Sequence, residues 1–180
     1  MYNFEELDDV TRAFMLKEFD AEWDRGNPFL PKSITETGKA AFRSIMTEAI
    51  KNGNEITLTQ DLAKPDYWQS HYLRRDGTPV SINPQKKAEM VARTEFNTWY
   101  VRGLCKRLME EGIKECQVYR ADSAYQPRGE CLAYEGRNYP VELLYAGHRA
   151  RYWPEETANR EAFSIPVGPN CHHTIHRVKN

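Results

Sequence analysis

The densest group of metal-ligating side chains lies near the C-terminus, in Cys171–His176, which contains one cysteine and three histidines. On a β-strand alternate residues share a face, so Cys171 and His173 would lie together, with the other histidines opposite. Thiolate and imidazole favour zinc, and a remote cysteine, Cys131 or Cys116, would extend the set toward a tetrahedral site. Because the chain has no CxxC pair and no HExxH motif, an exposed histidine-rich strand is the alternative.

A carboxylate is predicted on the buried face of a helix. Glu95 follows Val91 by four residues and precedes Trp99 by four, so helical spacing directs it toward the core. A buried carboxylate is costly unless it is paired, and Arg120 and Arg128 are the candidate partners for a structural ion pair. The alternatives for Glu95 are a catalytic acid or base, or a residue at the helix edge with its carboxylate in water. Arg120, which follows a tyrosine on a predicted strand, is the other candidate for a catalytic residue.

Basic and aromatic side chains are interleaved in the segment that contains Arg149, Arg151, Tyr152 and Trp153. Arginines that contact phosphates and rings that stack on bases are typical of single-stranded nucleic-acid binding. If the segment is a strand, both arginines share one face, and these four residues predict a DNA-binding stripe. The alternative is a half-buried strand whose arginine side chains cover the aromatic rings.

The composition limits the classes of function. The 180-residue chain has a net charge of −1 and 40% hydrophobic residues, which suits a folded protein and disfavours a globally basic nucleic-acid binder. Because the sequence has no apolar run of membrane-spanning length and no signal segment, we expect a cytoplasmic protein whose cysteines are thiols or metal ligands. Glycine-rich phosphate loops, GxSxG turns and dinucleotide-binding motifs are absent, which favours a protein without enzymatic activity.

The elements that position these residues follow from capping residues and hydrophobic spacing. Residues 1–82 are predicted to form a helical N-terminal module. Its first helix is predicted to open at a capping box of Asn3 and Glu6, and its second at a capping box of Ser33 and Glu36.

Residues 83–180 are predicted to form a second unit, a long helix followed by a β-rich domain. Asn83-Pro84 gives the strongest helix signal, an N-cap followed by proline, and the helix is predicted to run to about Glu111. After Gly112, short segments alternate with proline and glycine, which predicts strands and turns. The predicted strands are 116–121, 130–134, 141–145, 163–167 and 171–178. The predicted fold class is α+β: N-terminal helices leading to one long helix, then a compact β-rich C-terminal part.

The C-terminal half, over residues 88–178, resembles the phage Mu F-type head morphogenesis domain of minor capsid proteins. The motifs that carry the resemblance are Ala92-Arg93-Thr94-Glu95 with Asn97, then Asp122, Cys131, Gly136–Val141 and Ile165–Cys171. The family has an Arg-Thr-Glu helix, an aspartate followed by a CxxC-like pair, and a terminal HisProAsnCysArgCys motif.

The chain departs from this family pattern in its cysteine motifs. Arg128 stands where an earlier cysteine belongs, Gly168 replaces the leading histidine, and His173 replaces the last cysteine. If the family's motif holds a metal, His173 would substitute for that cysteine. The residues that would complete the ligand set are Cys116, His172 or His176.

The resemblance implies a phage- or prophage-derived, head morphogenesis-like protein, virion-associated if phage-encoded. It would act without enzymatic activity, through contacts with portal or capsid protein or with DNA. One alternative is a standalone bacterial defence or effector protein that reuses the fold. Another is a small zinc-dependent hydrolase or nuclease that uses Cys171, the histidines and Glu95. Apart from zinc no cofactor is expected, and no membrane partner is expected.

Overall fold

A computed structural model describes residues 1–74, 76–124, 126, 129–150 and 161–179 of the chain. The helices are α1 (Asp9–Asp24), α2 (Glu36–Asn52), α3 (Glu55–Leu62), α4 (Pro84–Glu110), α5 (Gly129–Leu132) and α6 (Val141–Ala146), with a 3-10 turn at Pro65–Tyr67. The strands are β1 (His71–Leu73), β2 (Pro79–Ser81), β3 (Glu115–Arg120), β4 (Asn138–Pro140) and β5 (His173–Arg177). The predicted α+β class, with a long helix ahead of the C-terminal sheet, is confirmed.

Helix α4 is the element on which the others pack. It begins as predicted, because the Asn83 side chain accepts a hydrogen bond from the Lys86 amide at 3.0 Å and Pro84 occupies the first helical turn. It gives way to a turn at Gly112, whose φ is +75°. Helices α1, α3 and α6 and strand β5 all contact it. Gly103 allows the closest of these approaches, since a Cβ there would lie 2.6 Å from the Met15 backbone nitrogen in α1.

The N-terminal helix begins later than its sequence predicts. Asp8, not Asn3, is its N-cap, and the Asp8 carboxylate accepts from the Thr11 amide at 2.9 Å. Asn3 instead lies in an extended segment and donates its backbone N–H to the Ala121 carbonyl at 2.9 Å, beside the sheet. The capping-box spacing of Asn3 and Glu6 is therefore coincidental. Glu6 binds the backbone N–H and the guanidinium of Arg177, each at 2.6 Å.

Two of the predicted strands are helices. Residues 130–134 and 141–145 overlap α5 and α6, and 163–167 contains no strand. A short apolar run does not separate a strand from one or two helical turns. In α6, Val141 and Leu144 are three residues apart and both are buried, which is helical spacing. The predicted strands 116–121 and 171–178 are confirmed as β3 and β5.

The C-terminal strands form an antiparallel sheet in the order β4-β3-β5, with Arg120 opposite His173. A separate antiparallel hairpin joins β1 and β2. One hydrophobic core includes side chains from both predicted units, among them Phe42 and Met46 from the first and Phe96 and Ile175 from the second. The division at residues 82 and 83 stays a prediction. Across the described residues, no helix is both long enough and apolar enough to cross a membrane.

Candidate metal centre

A tight turn and the start of β5 position two of the predicted metal ligands. The backbone N–H of Cys171 donates to the Gly168 carbonyl at 3.0 Å, which closes the turn. Asn170 in that turn has a φ of +60°, in the left-handed region that asparagine tolerates better than most residues. Strand β5 then begins at His173. Pairing of His173 with Arg120 of β3 fixes the position of His173 along the sheet.

Cys131, at the end of α5, completes a group of three ligand atoms. Its Sγ lies 3.8 Å from the Sγ of Cys171, which lies 3.9 Å from Nδ1 of His173, and all three atoms lie within 4.8 Å of one another. A tetrahedral zinc ion with bonds of about 2.3 Å to sulfur and about 2.0–2.1 Å to nitrogen holds such atoms roughly 3.5–3.8 Å apart. The three residues are 4%, 3% and 1% exposed. The predicted grouping is confirmed, and it can hold a metal ion.

A carboxylate that the sequence analysis missed faces the other imidazole nitrogen. Nε2 of His173 lies 3.0 Å from Oε2 of Glu135, and Oε1 of Glu135 lies 3.3 Å from the Arg120 guanidinium. Metal-ligating histidines typically engage a carboxylate through the nitrogen that does not bind the metal. Glu135 lies in a turn, where hydrophobic spacing carries no signal. Only its position four residues after Cys131 could have drawn attention to it.

The backbone of this group is fixed from two sides. Asn97 of α4 donates its side-chain N–H to the His173 carbonyl at 2.7 Å. The Tyr2 hydroxyl donates to the Cys171 carbonyl at 2.7 Å, while the Tyr2 backbone N–H donates to the Glu55 carboxylate at 2.8 Å. The long helix and the N-terminal segment therefore hold the ligand-bearing backbone in place without using the ligand atoms.

Proton affinities within the group shift in opposite directions. Burial raises the pKa of the Cys171 thiol, but hydrogen bonding to His173 outweighs burial and leaves that pKa below its ordinary value. Burial lowers the pKa of His173, but hydrogen bonding to Cys171 and Glu135 outweighs burial and raises that pKa. The Cys171 sulfur is thus held in a setting that favours the thiolate, the form of cysteine that binds metals.

The residues considered for completing the ligand set lie elsewhere. Cys116 is at the far end of β3 from the group. His172 and His176 do not belong to the group, and their rings pack edge-on against Tyr2 and Tyr119 respectively. Within the described residues the group therefore has three protein ligands.

The predicted burial of Glu95 is confirmed, but its predicted pairing with Arg120 is wrong. Glu95 is 2% exposed, and both its carboxylate oxygens accept from Arg149, at 2.9 and 2.8 Å. Arg120 cannot reach it, because β3 places Arg120 beside Glu135 at the sheet. The other proposed partner, Arg128, lies outside the described residues. With its carboxylate held by Arg149, Glu95 is also removed from the set of catalytic candidates at the metal group.

Arg149 lies at the centre of a buried ionic cluster. Its guanidinium also contacts Glu22 of α1 at 3.4 Å and lies 4.5 Å and 5.2 Å from the ring centroids of Phe29 and Trp99. Burial lowers the pKa of Arg149, but the charges of Glu95 and Glu22 outweigh burial and raise it. Two carboxylates and two aromatic faces therefore compensate the desolvation of this cation.

His148 joins the cluster through Glu22, with its Nε2 3.0 Å from a Glu22 carboxylate oxygen. Burial raises the pKa of Glu22, but the hydrogen bond with His148 and the charge of Arg149 outweigh it and lower that pKa to about 2. Burial lowers the pKa of His148 to about 4. The sequence patterns do not reveal this pair, because Glu22 and His148 come together only when α1 packs beside the turn after α6.

Arg149 does not have the exposed position that the predicted DNA-binding stripe requires. Arg149 is 3% exposed and lies in a turn with a φ of +62°, not on a strand. Its guanidinium binds two carboxylates and is not available to phosphates. The other members, Arg151, Tyr152 and Trp153, lie outside the described residues.

No protein-family model, curated protein or solved structure matches the chain. The resemblance to the head morphogenesis domain stays a prediction that rests on the quoted motifs.

We expect Glu95→Gln to lower the free energy of unfolding by about 3–5 kcal/mol, because it removes one partner of a buried ion pair. Urea unfolding followed by circular dichroism measures the change. The matched control is Glu110→Gln, which breaks the half-exposed pair of Glu110 with Lys106 and should cost about 1 kcal/mol or less. Equal losses in the two variants would contradict a special role for the buried pair.

His148 should make the protein less stable as the solution is acidified. Its pKa is lowered to about 4 in the folded chain from 6.5, so the unfolded chain binds this proton at higher pH. The stability that neutral His148 contributes is fully present at pH values above its pKa in the unfolded chain. It is lost as the pH falls toward its pKa in the folded chain. We expect a loss of about 2 kcal/mol between roughly pH 7 and pH 5.

The control for His148 is His148→Gln, which retains a donor toward Glu22 and does not titrate. Urea unfolding of both proteins at the two pH values isolates the histidine, since every other titrating group is shared. Parallel pH profiles for the two proteins would show that His148 is not held neutral in the folded state.

Proposed function

We propose that the chain is a head morphogenesis-like protein without enzymatic activity, in which a zinc ion held by Cys131, Cys171 and His173 fastens the C-terminal strand. The zinc assignment rests on the separation of the three ligand atoms. The Sγ of Cys171 lies 3.8 Å from the Sγ of Cys131 and 3.9 Å from Nδ1 of His173. These separations suit a tetrahedral zinc ion, and two thiolates with one imidazole suit zinc better than magnesium or calcium.

Burial of the three residues favours a structural over a catalytic ion, and in a structural site a fourth ligand beyond the described group would complete the tetrahedron. All three are buried, and Glu135 orients His173 from behind. The acid that a zinc hydrolase would need from Glu95 is bound to Arg149. The ion supplies a cross-link when it is bound. The ligands that it joins are 40 residues apart in sequence, so the link would restrict a long loop of the unfolded chain.

The positions of the resemblance motifs support the head morphogenesis role. Residues that the sequence places far apart meet at one location, where Asn97 binds the His173 backbone and Cys131 approaches Cys171. Asp122 lies close by, and its carboxylate forms an ion pair with the Met1 amine at 3.4 Å. A motif set that converges in this way is expected if the motifs serve one structural purpose. The burial of Arg149 favours protein contacts over DNA contacts for the assembled domain.

The untagged protein should contain about one equivalent of zinc when measured by elemental analysis. Cys171→Ser should reduce the content to below a tenth of an equivalent and lower the melting temperature, because it removes the ligand that contacts both others. The matched control is Cys105→Ala, a buried cysteine outside the group, which should retain zinc. Zinc-free wild-type protein, or loss of zinc in the control alone, would exclude the site.

The morphogenesis role is tested separately, by co-expression with portal and capsid proteins encoded beside the gene. Purified particles should contain the chain, and Cys171→Ser should reduce its incorporation because the C-terminal strand is no longer fastened. Glu110→Gln, on the exposed face of α4, should leave incorporation unchanged. Particles that exclude the wild-type chain, or neighbouring genes without portal or capsid proteins, would contradict this role and leave the zinc assignment standing.

A further inference from the structure

A groove of about 790 Å³ runs between the β1–β2 hairpin and the first turns of α4. The hairpin contributes one wall, including Tyr72, Leu73 and Val80. The opposite wall comes from Lys86, Lys87 and Met90 of α4 together with the segment Lys32-Ser33. The two walls therefore belong to different parts of the chain and enclose a channel between them.

The groove has a positive rim. Lys32, Lys86 and Lys87 line it, and no carboxylate is present among the described residues of the lining. Elsewhere Lys106 and Lys179 pair with glutamates, whereas Lys17, Lys51 and Lys114 form no ion pair among the described residues. Within the described part of the chain, none of the three groove lysines forms an ion pair. In a chain whose net charge is −1, three unpaired cations around one groove are a local charge imbalance.

The interior of the groove is aliphatic and leads into a deeper pocket. Val80, Ile82 and Met90 lie along it, and Met90, Lys32 and Lys87 also line an adjoining pocket of about 250 Å³. The walls of that pocket are mostly apolar. Its other lining residues are Phe29, Pro31, Val91, Thr94, Glu95 and Pro169. Such a pocket suits one apolar anchor side chain, the feature that dominates the energy of many protein interfaces.

Two further observations mark the groove as an interaction surface. Ser33 lines the groove at 7% exposure, and its buried hydroxyl has no hydrogen-bond partner. The hairpin has only two strands, while Tyr72 and Leu73 are 47% and 66% exposed. An isolated two-stranded hairpin is marginal in water, and large exposed apolar side chains together mark an interaction surface.

We propose that this groove binds an extended segment of a protein partner in which aliphatic side chains alternate with carboxylates. Carboxylates would meet the three lysines, alternate aliphatic side chains would fill the groove, and one larger apolar residue would enter the deeper pocket. Burial lowers the pKa of Lys87, so its ammonium gains from a nearby carboxylate. The inference goes beyond the zinc-fastened scaffold and uses none of its ligand residues.

The aliphatic walls favour a peptide over nucleic acid. Binding of single strands relies on aromatic rings that stack on bases, and among the described lining residues the groove offers only the rings of His71 and Tyr72. Leucine, valine, isoleucine and methionine instead complement aliphatic side chains, and extended peptides commonly dock along strands while pockets take alternate side chains.

The probe is a fluorescein-labelled ten-residue peptide that alternates leucine with glutamate, titrated with the full chain by fluorescence anisotropy. It should bind saturably and weaken with added salt. Two peptides of equal length, alternating leucine with lysine and serine with glutamate, should bind about tenfold more weakly or worse, because each lacks one half of the complementarity.

The variant carries Lys32→Glu, Lys86→Glu and Lys87→Glu, and should weaken binding about tenfold or more. The matched control carries Lys17→Glu, Lys51→Glu and Lys114→Glu at exposed positions off the groove, and should bind like wild type. Leu73→Ser tests the apolar wall without changing charge, and circular dichroism verifies folding of each variant.

Several outcomes would overturn the proposal. One is no binding of the leucine–glutamate peptide at millimolar concentration. Another is equal weakening by the groove and control triple variants, which would indicate non-specific charge attraction. The third is tighter binding of a thymidine oligonucleotide that depends on the same lysines, which would assign the groove to nucleic acid. Each result is independent of zinc content, so the groove and the metal group succeed or fail separately.

Discussion

The structure depends on keeping one buried cation compensated. The guanidinium of Arg149 lies among Glu95, Glu22 and two aromatic rings, with 2% of its side chain exposed. A buried guanidinium is tolerated only while its partners stay in place, because the loss of a partner leaves an uncompensated charge in the core. Glu22 belongs to α1, Glu95 to α4, and Arg149 to the turn after α6. The ion cluster therefore specifies how three distant parts of the chain meet.

The long helix connects this cluster to the candidate metal group. Glu95 binds Arg149, and two residues later Asn97 binds the backbone of His173. A displacement of α4 would disturb both contacts, so the helix couples a polar core to a sheet edge. The same helix supplies Lys86, Lys87 and Met90 to the peptide groove, near its N-terminus. The three features share this helix, and Glu95 belongs to two of them, because it binds Arg149 and also lines the pocket beside the groove.

Local signals predicted the elements that local physics determines. The Asn83-Pro84 start of α4 and the apolar segments that became β3 and β5 are examples, because capping geometry and strand patterning act within a few residues. The burial of Glu95 followed from spacing on one helix. Its partner did not, because Arg149 reaches it only through the packing of α6 on α4. Residues 141–145 were assigned as a strand since a short apolar run fits either structure. Glu135 supports His173 from a turn, where no periodic pattern exists to identify it.

The contacts of Tyr2 have a kinetic consequence. Its hydroxyl binds the carbonyl of a residue 169 positions later, and its amide binds Glu55. Contacts of such large sequence separation form only after much of the loop entropy between them has been lost. The helices α1 to α4 can associate through nearer neighbours, so we expect the contact between Tyr2 and Cys171 to form late in folding. Interactions that form after the transition state govern how fast a protein opens rather than how fast it folds. We therefore expect this contact to slow unfolding and to have little effect on the rate of folding.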